Sequence, residues 1–135
     1  MVAFQKFQPF VEALAEKKHD LSVNQLAVAL TNSAPLNTYF ELAQITEISY
    51  ANCSSRNITT VSSSQTAGTY NLILGDLTLT AGGGPVGPFR YVVLYNTVAA
   101  GFELIGWWDY GSAITLNDTE TFLIDFPAIG VVQIT

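Results

Sequence analysis

Side chains that could perform nucleophilic catalysis are scarce in this sequence. His19 is the only histidine and Cys53 the only cysteine. A catalytic serine or cysteine needs a base beside it. His19 lies in the segment KKHD at the predicted end of a helix, where it can cap backbone carbonyls, and Cys53 lies in a polar stretch without a neighbouring base. We therefore predict no catalytic residue, an unpaired thiol at Cys53 and a protein that is not an enzyme.

Metal binding would have to rely on acidic side chains. The densest acidic group is Asp118, Glu120 and Asp125, with Asp109 upstream. On a strand, Asp118 and Glu120 point to one face and Asp125 to the other. Charges at this spacing are common on solvated strand edges, where they discourage aggregation. We therefore predict no metal and no cofactor.

The glycine-rich stretch GGGPVGPFRYVVLYN, residues 82–96, could suggest a phosphate-binding loop. Such a loop needs converging backbone N–H groups at a helix N-terminus, usually with a lysine. Pro85 and Pro88 remove two N–H groups, no lysine follows, and the next segment has a β pattern. We predict a connection into a strand at residues 89–96, with Arg90 either paired to an acid or facing a partner.

The predicted strand at residues 89–96 is apolar on both faces, which indicates that it is covered on both sides. The sequence leaves open whether the second cover is the protein's own chain or another subunit. Trp107 and Trp108 are adjacent in a predicted strand and point to opposite faces, so at least one of them belongs to the core. The other is a candidate interface anchor, and a sugar site stays an alternative. The aromatic residues concerned are Tyr91, Tyr95, Trp107, Trp108 and Tyr110.

One helix is predicted, over residues 9–18. Phe7, Phe10, Val11 and Leu14 follow helical spacing, and Pro9 suits a first helical turn. The N-terminal segment, residues 1–20, is either an arm that reaches a neighbouring molecule or a helix packed on its own domain.

Residues 21–135 have the pattern of short strands separated by turn residues. The strands are predicted at residues 26–30, 44–49, 57–63, 70–74, 77–80, 89–96, 102–109, 113–116, 119–126 and 131–134. Turns at DYGS, residues 109–112, and LND, residues 116–118, predict a three-stranded meander. The fold class expected is mainly β: an antiparallel β-sandwich, jelly-roll or Greek-key like, with one N-terminal α-helix, in a single domain spanning residues 1–135.

Composition argues against several partners. Hydrophobic residues make up 49% of the chain and charged residues 12%, against about 25% charged in typical domains. The net charge of −6 comes from residues 21–135, where Arg56 and Arg90 are the only basic residues. An acidic body repels phosphate backbones, so direct nucleic-acid binding is not expected. Apolar runs are too short to cross a bilayer, and the first 20 residues lack a signal-peptide pattern, so we expect synthesis in a cytoplasm.

Six segments together resemble a family of small tailed-bacteriophage virion proteins, and the similarity covers nearly the whole chain. GPFRYVVLYN and WWDYGS are its most specific parts. The segments are KKHDL (17–21), LAVALTNSAP (26–35), ITEISY (45–50), QTAGTYNLILGD (65–76), GPVGPFRYVVLYN (84–96) and LIGWWDYGSAITLNDTETF (104–122).

This resemblance implies a structural role in the virion, as a capsid decoration (cement) protein. It implies binding to the major capsid protein and to copies of itself, as a trimer, on the capsid surface of particles made in the host bacterial cytoplasm. A tail or head–tail connector component, or a carbohydrate- or receptor-binding module, are the alternatives. The family supplies no catalytic residues. The interface candidates are Phe4, Phe7, Phe10, Arg90, Trp107, Trp108 and Tyr110.

Overall fold

The computed structural model describes residues 2–135 and is mainly β, as the sequence predicts. One α-helix, α1, spans Gln8–Ala15, and a short 3₁₀ helix spans Leu42–Gln44. No helix in the described part of the chain has the length and apolar character needed to cross a membrane. The strands are β1 (Gln5–Lys6), β2 (Leu26–Thr31), β3 (Asn57–Ile58), β4 (Thr60–Thr66), β5 (Thr69–Leu74), β6 (Leu77–Thr80), β7 (Val86–Asn96), β8 (Leu104–Leu116), β9 (Thr121–Ile124) and β10 (Val132–Ile134).

The strands form three antiparallel sheets. The largest has five strands in the order β1-β8-β7-β2-β3, with β7 at its centre. A three-stranded sheet has the order β10-β5-β4, and β6 pairs with β9 in a two-stranded sheet. The large sheet therefore forms one layer, and the two small sheets face it.

The main core lies between these layers. Alternate residues of the large sheet point inward, and they pack against the inward residues of the small sheets, as strand periodicity requires. Members of this core are Leu26, Val28, Leu30, Val92, Leu94, Ile105 and Trp108 from the large sheet, with Leu72, Leu74, Leu79, Ile124, Phe126 and Val132 from the facing side.

The outer face of the large sheet is also covered, by the chain itself. Ala29, Val93 and Leu104 point outward yet are buried, because the segment at residues 36–45 lies across them. This cover is anchored by two backbone hydrogen bonds, from the Leu104 amide to the Phe40 carbonyl at 2.9 Å and from the Gln8 amide to the Asn37 carbonyl at 2.8 Å. The second cover of β7 is thus an intrachain segment that has no strand.

The N-terminal segment packs on its own domain. Strand β1 pairs with the edge of β8, matching Gln5 with Trp107, and the Phe7 amide donates to the Ile105 carbonyl at 3.2 Å. Helix α1 begins with Pro9 in its first turn, as expected, but ends at Ala15 and not at residue 18. Lys17 adopts a left-handed backbone with φ 67°, which stops the helix.

Two strand predictions are wrong. Residues 109–112 do not form a turn between two strands, because β8 runs unbroken through them. Phe89 pairs with Ile114 and Tyr91 with Asp109, so the extra residues form a bulge opposite Arg90. The predicted strand at residues 44–49 is also absent: the 3₁₀ helix occupies its start, and Glu47 makes only an isolated bridge to Thr31.

Candidate interaction surface

His19 is buried in a polar network. Its side chain is 5% exposed, and its Nδ1 lies 3.1 Å from the Asn96 amide nitrogen. The Asn96 amide oxygen accepts the Val98 and Ala99 amides, so its nitrogen must be the donor to His19. Nδ1 is then the acceptor, and Nε2 carries the proton.

The His19 Nε2 group has no hydrogen-bond partner among the described residues and is closed off from solvent. Burial, reinforced by Lys18, lowers the pKa of His19 to about 4, so the ring is neutral at pH 7. A cavity of about 590 Å³ opens beside it, between the end of α1 and the three-stranded sheet. The His19 side chain lines part of this cavity, but its Nε2 atom has no contact with solvent.

Three of the four acidic candidates, Asp109, Asp118 and Glu120, have separate hydrogen-bond partners within the chain. Asp118 accepts the Gly83 amide at 2.9 Å, and the Glu120 carboxylate accepts the Asn117 amide at 2.7 Å. Within residues 2–135, no group of three or more His, Cys, Asp or Glu side chains is close enough to hold a metal ion. The Cys53 thiol is half-buried, and this burial raises its pKa.

The glycine loop connects β6 to β7, as the sequence predicts. Its amides contact the protein's own groups: Gly82 donates to the Asn52 carbonyl and Gly83 to Asp118. A side chain at Gly84 would lie 2.5 Å from the Asn52 amide nitrogen. The Asn52 amide also donates to the Pro85 carbonyl at 3.2 Å, so this loop is held by contacts within the chain.

The seven interface candidates divide by burial. Phe7, Phe10 and Trp108 are at most 3% exposed and lie in the core of this chain. Phe4 is half-buried against Trp108, with ring centroids 5.1 Å apart, and Tyr110 packs on Phe122 at 5.1 Å.

Arg90 and Trp107, the two remaining candidates, keep surface on the outer face of the large sheet. Arg90 donates two hydrogen bonds to Asp109, at 2.8 and 3.1 Å. Its guanidinium carbon lies 5.3 Å from the Tyr91 ring centroid, and Tyr91 meets Trp107 edge-to-face at 5.9 Å. The guanidinium lowers the pKa of Asp109, so this ion pair persists at neutral pH.

Phe102, just before β8, is a further exposed aromatic side chain beside the large sheet. It meets Tyr95 edge-to-face with centroids 6.4 Å apart, and it is 48% exposed. Nearby on the covering segment, Phe40 is 45% exposed. We call the surface formed by Phe40, Arg90, Phe102 and Trp107, together with the buried Tyr91 ring that contacts Arg90 and Trp107, the outer aromatic surface.

The backbone of Phe102 is the unusual feature of this surface. Its φ of 53° places a bulky aromatic residue in the left-handed region, where side chains other than glycine and asparagine are disfavoured. An exposed side chain held at such a cost is a reason to look for a function. The sequence offered no signal for it, because neither the left-handed backbone nor the neighbouring Phe40 follows from spacing.

Beyond the end of β3, backbone groups on the free edge of β2 form hydrogen bonds with side chains. The Leu30 amide donates to the Tyr50 hydroxyl at 2.9 Å, and Arg56 donates to the Val28 carbonyl at 2.8 Å. The Arg56 guanidinium stacks 3.6 Å from the Tyr50 ring centroid, while the Tyr50 hydroxyl donates to Glu47 at 2.7 Å. These groups are therefore engaged in holding the sheet edge.

In comparisons with known proteins, no family model, curated protein or solved structure matches this chain.

Proposed function

We propose that this protein is a non-enzymatic structural protein of a tailed-bacteriophage virion, a decoration protein that binds the assembled head and stabilises it. Its partners are the major capsid protein and further copies of itself, and its place is the capsid surface. A decoration protein of this kind stabilises by mass action, since it binds the assembled lattice and not the free subunits. The resemblance in sequence supports the virion, and the outer aromatic surface supplies a means of binding.

The observation that carries the proposal is the exposed, strained Phe102 on the outer aromatic surface. Aromatic and arginine side chains are enriched among the residues that dominate binding energy at interfaces. Phe102 and Phe40 expose about half of their surface, and Trp107 is partly exposed on the same face of the large sheet. A partner that covers these rings would gain apolar burial in proportion to the area removed from water.

Charge indicates the kind of capsid surface involved. Residues 21–135 carry eight acidic and two basic side chains, and Arg90 is already paired with Asp109. A basic capsid surface would attract this body and speed the encounter, while added salt would weaken that attraction.

The proposal is tested by mixing purified protein with expanded, undecorated phage capsids of candidate hosts and measuring the bound copies per particle. Saturation at a number set by the capsid symmetry is the expected result. Labelling of a single vertex or of the tail would instead identify a connector or tail component. Binding to glycans or host cells with no binding to capsids would overturn the capsid role in favour of a receptor-binding module.

Phe102→Asn separates binding from folding. Asparagine tolerates the left-handed backbone, so relief of about 1 kcal/mol of strain offsets the lost aromatic pair, which is worth about 0.5–1.5 kcal/mol. We expect the free energy of unfolding to stay within about 1 kcal/mol of the wild-type value while capsid affinity falls at least tenfold. Ile129→Asn is the matched control, because Ile129 is 72% exposed beside the small sheets and outside the outer aromatic surface. Equal affinity for both variants would contradict the assignment of this surface.

A further inference from the structure

The sheets of this protein end in edge strands of unequal length. Edge strands β1 and β3 have two residues each, β10 has three, and β6 and β9 have four each. Strand β4 has seven residues and forms one edge of the three-stranded sheet. Proteins commonly protect edges by keeping them short, and β4 does not follow this rule.

The backbone groups of β4 that face away from β5 can be identified from the hairpin. Thr66 and Thr69 flank the two-residue turn, so they form a hydrogen-bonded pair. Hydrogen-bonded pairs recur at every second residue, which makes Ser64–Asn71 the next one. Ser63 and Gln65 therefore direct their N–H and C=O groups to the free edge. No backbone hydrogen bond to these residues from outside the sheet occurs in residues 2–135.

The composition of β4 also lacks the usual protection. Its sequence, TVSSSQT, contains no charged residue and no proline. Val61 is 64% exposed, and Ser64, Gln65 and Thr66 are exposed as well. Lysine, proline and inward-pointing charges are the common devices that stop one edge from pairing with another.

We propose that β4 is a self-association edge, at which two copies of this chain pair antiparallel across a two-fold axis centred on Ser64. This register sets Ser63 of each copy opposite Gln65 of the other, so all four outward-facing residues form hydrogen-bonded pairs. The three-stranded sheets of the two copies then become one six-stranded sheet.

A second copy is the occupant because β4 is neutral. Like charges placed directly opposite each other destabilise a strand pair, and a two-fold axis always places a residue opposite its own copy. A strand with no charge is compatible with its own copy, although each chain carries a net charge of −6. The pairing is a property of the purified protein and does not depend on the proposed capsid role. A two-fold pair closes at two copies, so it predicts a dimer where the resemblance in sequence implies a trimer.

The register is tested by disulfide trapping in a Cys53→Ser background, which removes the only native thiol. Ser64 lies opposite its own copy in a non-hydrogen-bonded pair, with Cα atoms about 4.5 Å apart, a distance that suits a disulfide. We expect Ser64→Cys to form a covalent dimer under mild oxidation. Ser62→Cys, on the same strand, lies opposite Thr66 of the partner and should stay monomeric. Equal cross-linking at both positions would overturn the register.

The interface is tested in the wild-type background by sedimentation over a concentration series. Ser64→Lys places two ammonium groups opposite each other, and we expect it to raise the dimer dissociation constant at least tenfold. Gln133→Lys, on the opposite edge of the same sheet, is the matched control and should change it less than threefold. A monomer at every concentration, a trimer, or a dimer equally sensitive to both variants would overturn the proposal.

Salt separates this inference from the proposed function. Two copies that each carry a net charge of −6 repel each other. Because added salt screens this repulsion, the β4 dimer should become more stable as ionic strength rises. Docking on a basic capsid surface should weaken over the same range. Capsid binding retained by Ser64→Lys would leave the proposed function intact while the loss of the dimer identifies the edge.

Discussion

His19 shows how the only histidine of a sequence, a candidate for catalysis by its residue type, can be buried and hydrogen-bonded within the fold. Its Nδ1 accepts a hydrogen bond from Asn96, a residue with no exposed surface whose amide nitrogen also donates to Asn24 at 2.8 Å. Phe10 packs on the imidazole, with ring centroids 5.2 Å apart. The unpartnered Nε2–H is the cost of this arrangement, since a buried donor without a partner is unfavourable by about 1–3 kcal/mol.

The buried imidazole predicts a pH-dependent stability. Burial lowers the His19 pKa from 6.5 to about 4. Above pH 6.5 the ring is neutral in both folded and unfolded chains, so its contribution is fully present. As pH falls from 6.5 to 4, only the unfolded chain takes up the proton, and the wild type should lose up to about 3 kcal/mol. Urea unfolding followed by tryptophan fluorescence across this range measures the loss.

His19→Phe supplies the comparison for that titration. Phenylalanine removes both the titrating group and the orphaned N–H, while Asn96 keeps its bond to Asn24. We expect stability at pH 7 within about 1 kcal/mol of the wild-type value and a flat profile between pH 6.5 and 4.5. His19→Gln retains an acceptor for Asn96 and should also be flat. The folded structure lowers the pKa values of Asp20 and Asp109. Protonation of these carboxylates therefore changes stability only at lower pH, in the wild type and in both His19 variants. The same slope in wild type and variants would place the titrating group elsewhere.

The β4–β5 hairpin is an element whose turn chemistry is not optimal. Ala67 and Gly68 form its two-residue loop and have φ values of 51° and 84°. Positive φ at both loop positions matches a type I′ turn, in which asparagine followed by glycine is preferred. Alanine in the left-handed region carries a steric cost that asparagine largely avoids.

Ala67→Asn should therefore stabilise the protein. We expect the free energy of unfolding to rise by about 0.5–1 kcal/mol with an unchanged dependence on denaturant, measured by urea unfolding. Gly68→Ala is the matched opposite change, because it places a side chain at φ 84°, and it should lower stability by about 1 kcal/mol or more. If both variants were neutral, the loop geometry described here would be wrong.

Regular elements could be read from the sequence, whereas irregular ones could not. Alternation in β7 correctly assigned Val92 and Leu94 to one face and Val93 and Tyr95 to the other. The sequence predicts a turn where β8 has a bulge, because Gly111 with φ 88° suits either structure.

The sequence predicts only part of the outer aromatic surface, because the rest of it lies outside regular elements. Trp107 and Arg90 are predictable as interface candidates because tryptophan and arginine are enriched among the residues that dominate binding energy. Phe40 lies in a segment without strand periodicity, and Phe102 lies just before β8 although the sequence predicts a strand from residue 102. The position of both rings depends on residues 36–45 folding across the sheet. Such a covering segment is held by tertiary contacts, so no local sequence pattern predicts it.

The whole molecule is a sandwich whose N-terminal segment closes one side. Phe4 lies over Gly106 of β8 so closely that a side-chain carbon at Gly106 would overlap its ring, and that carbon would also approach the Gln5 carbonyl to 2.8 Å. The same ring contacts Trp108 in the main core. Glycine at position 106 is thus what allows the segment to join the large sheet. The two alternatives for the N-terminal segment, an arm that reaches a neighbouring molecule and a helix packed on its own domain, make opposite predictions for the replacement of Gly106.

Gly106→Ala decides between those alternatives in solution. If the segment packs as described, the added methyl group displaces β1, so we expect stability to fall by roughly 1–3 kcal/mol and the Phe7 amide to lose its protection from hydrogen exchange. Gly82→Ala is the control, since nothing lies within 4 Å of a side chain there. Adding Phe4→Ala removes the ring that the methyl group strikes, so the double variant should lose less than the sum of the two single losses. An unchanged stability and additive behaviour would mean that the segment leaves the sheet in solution, which would make its phenylalanines free to reach a neighbour in the virion.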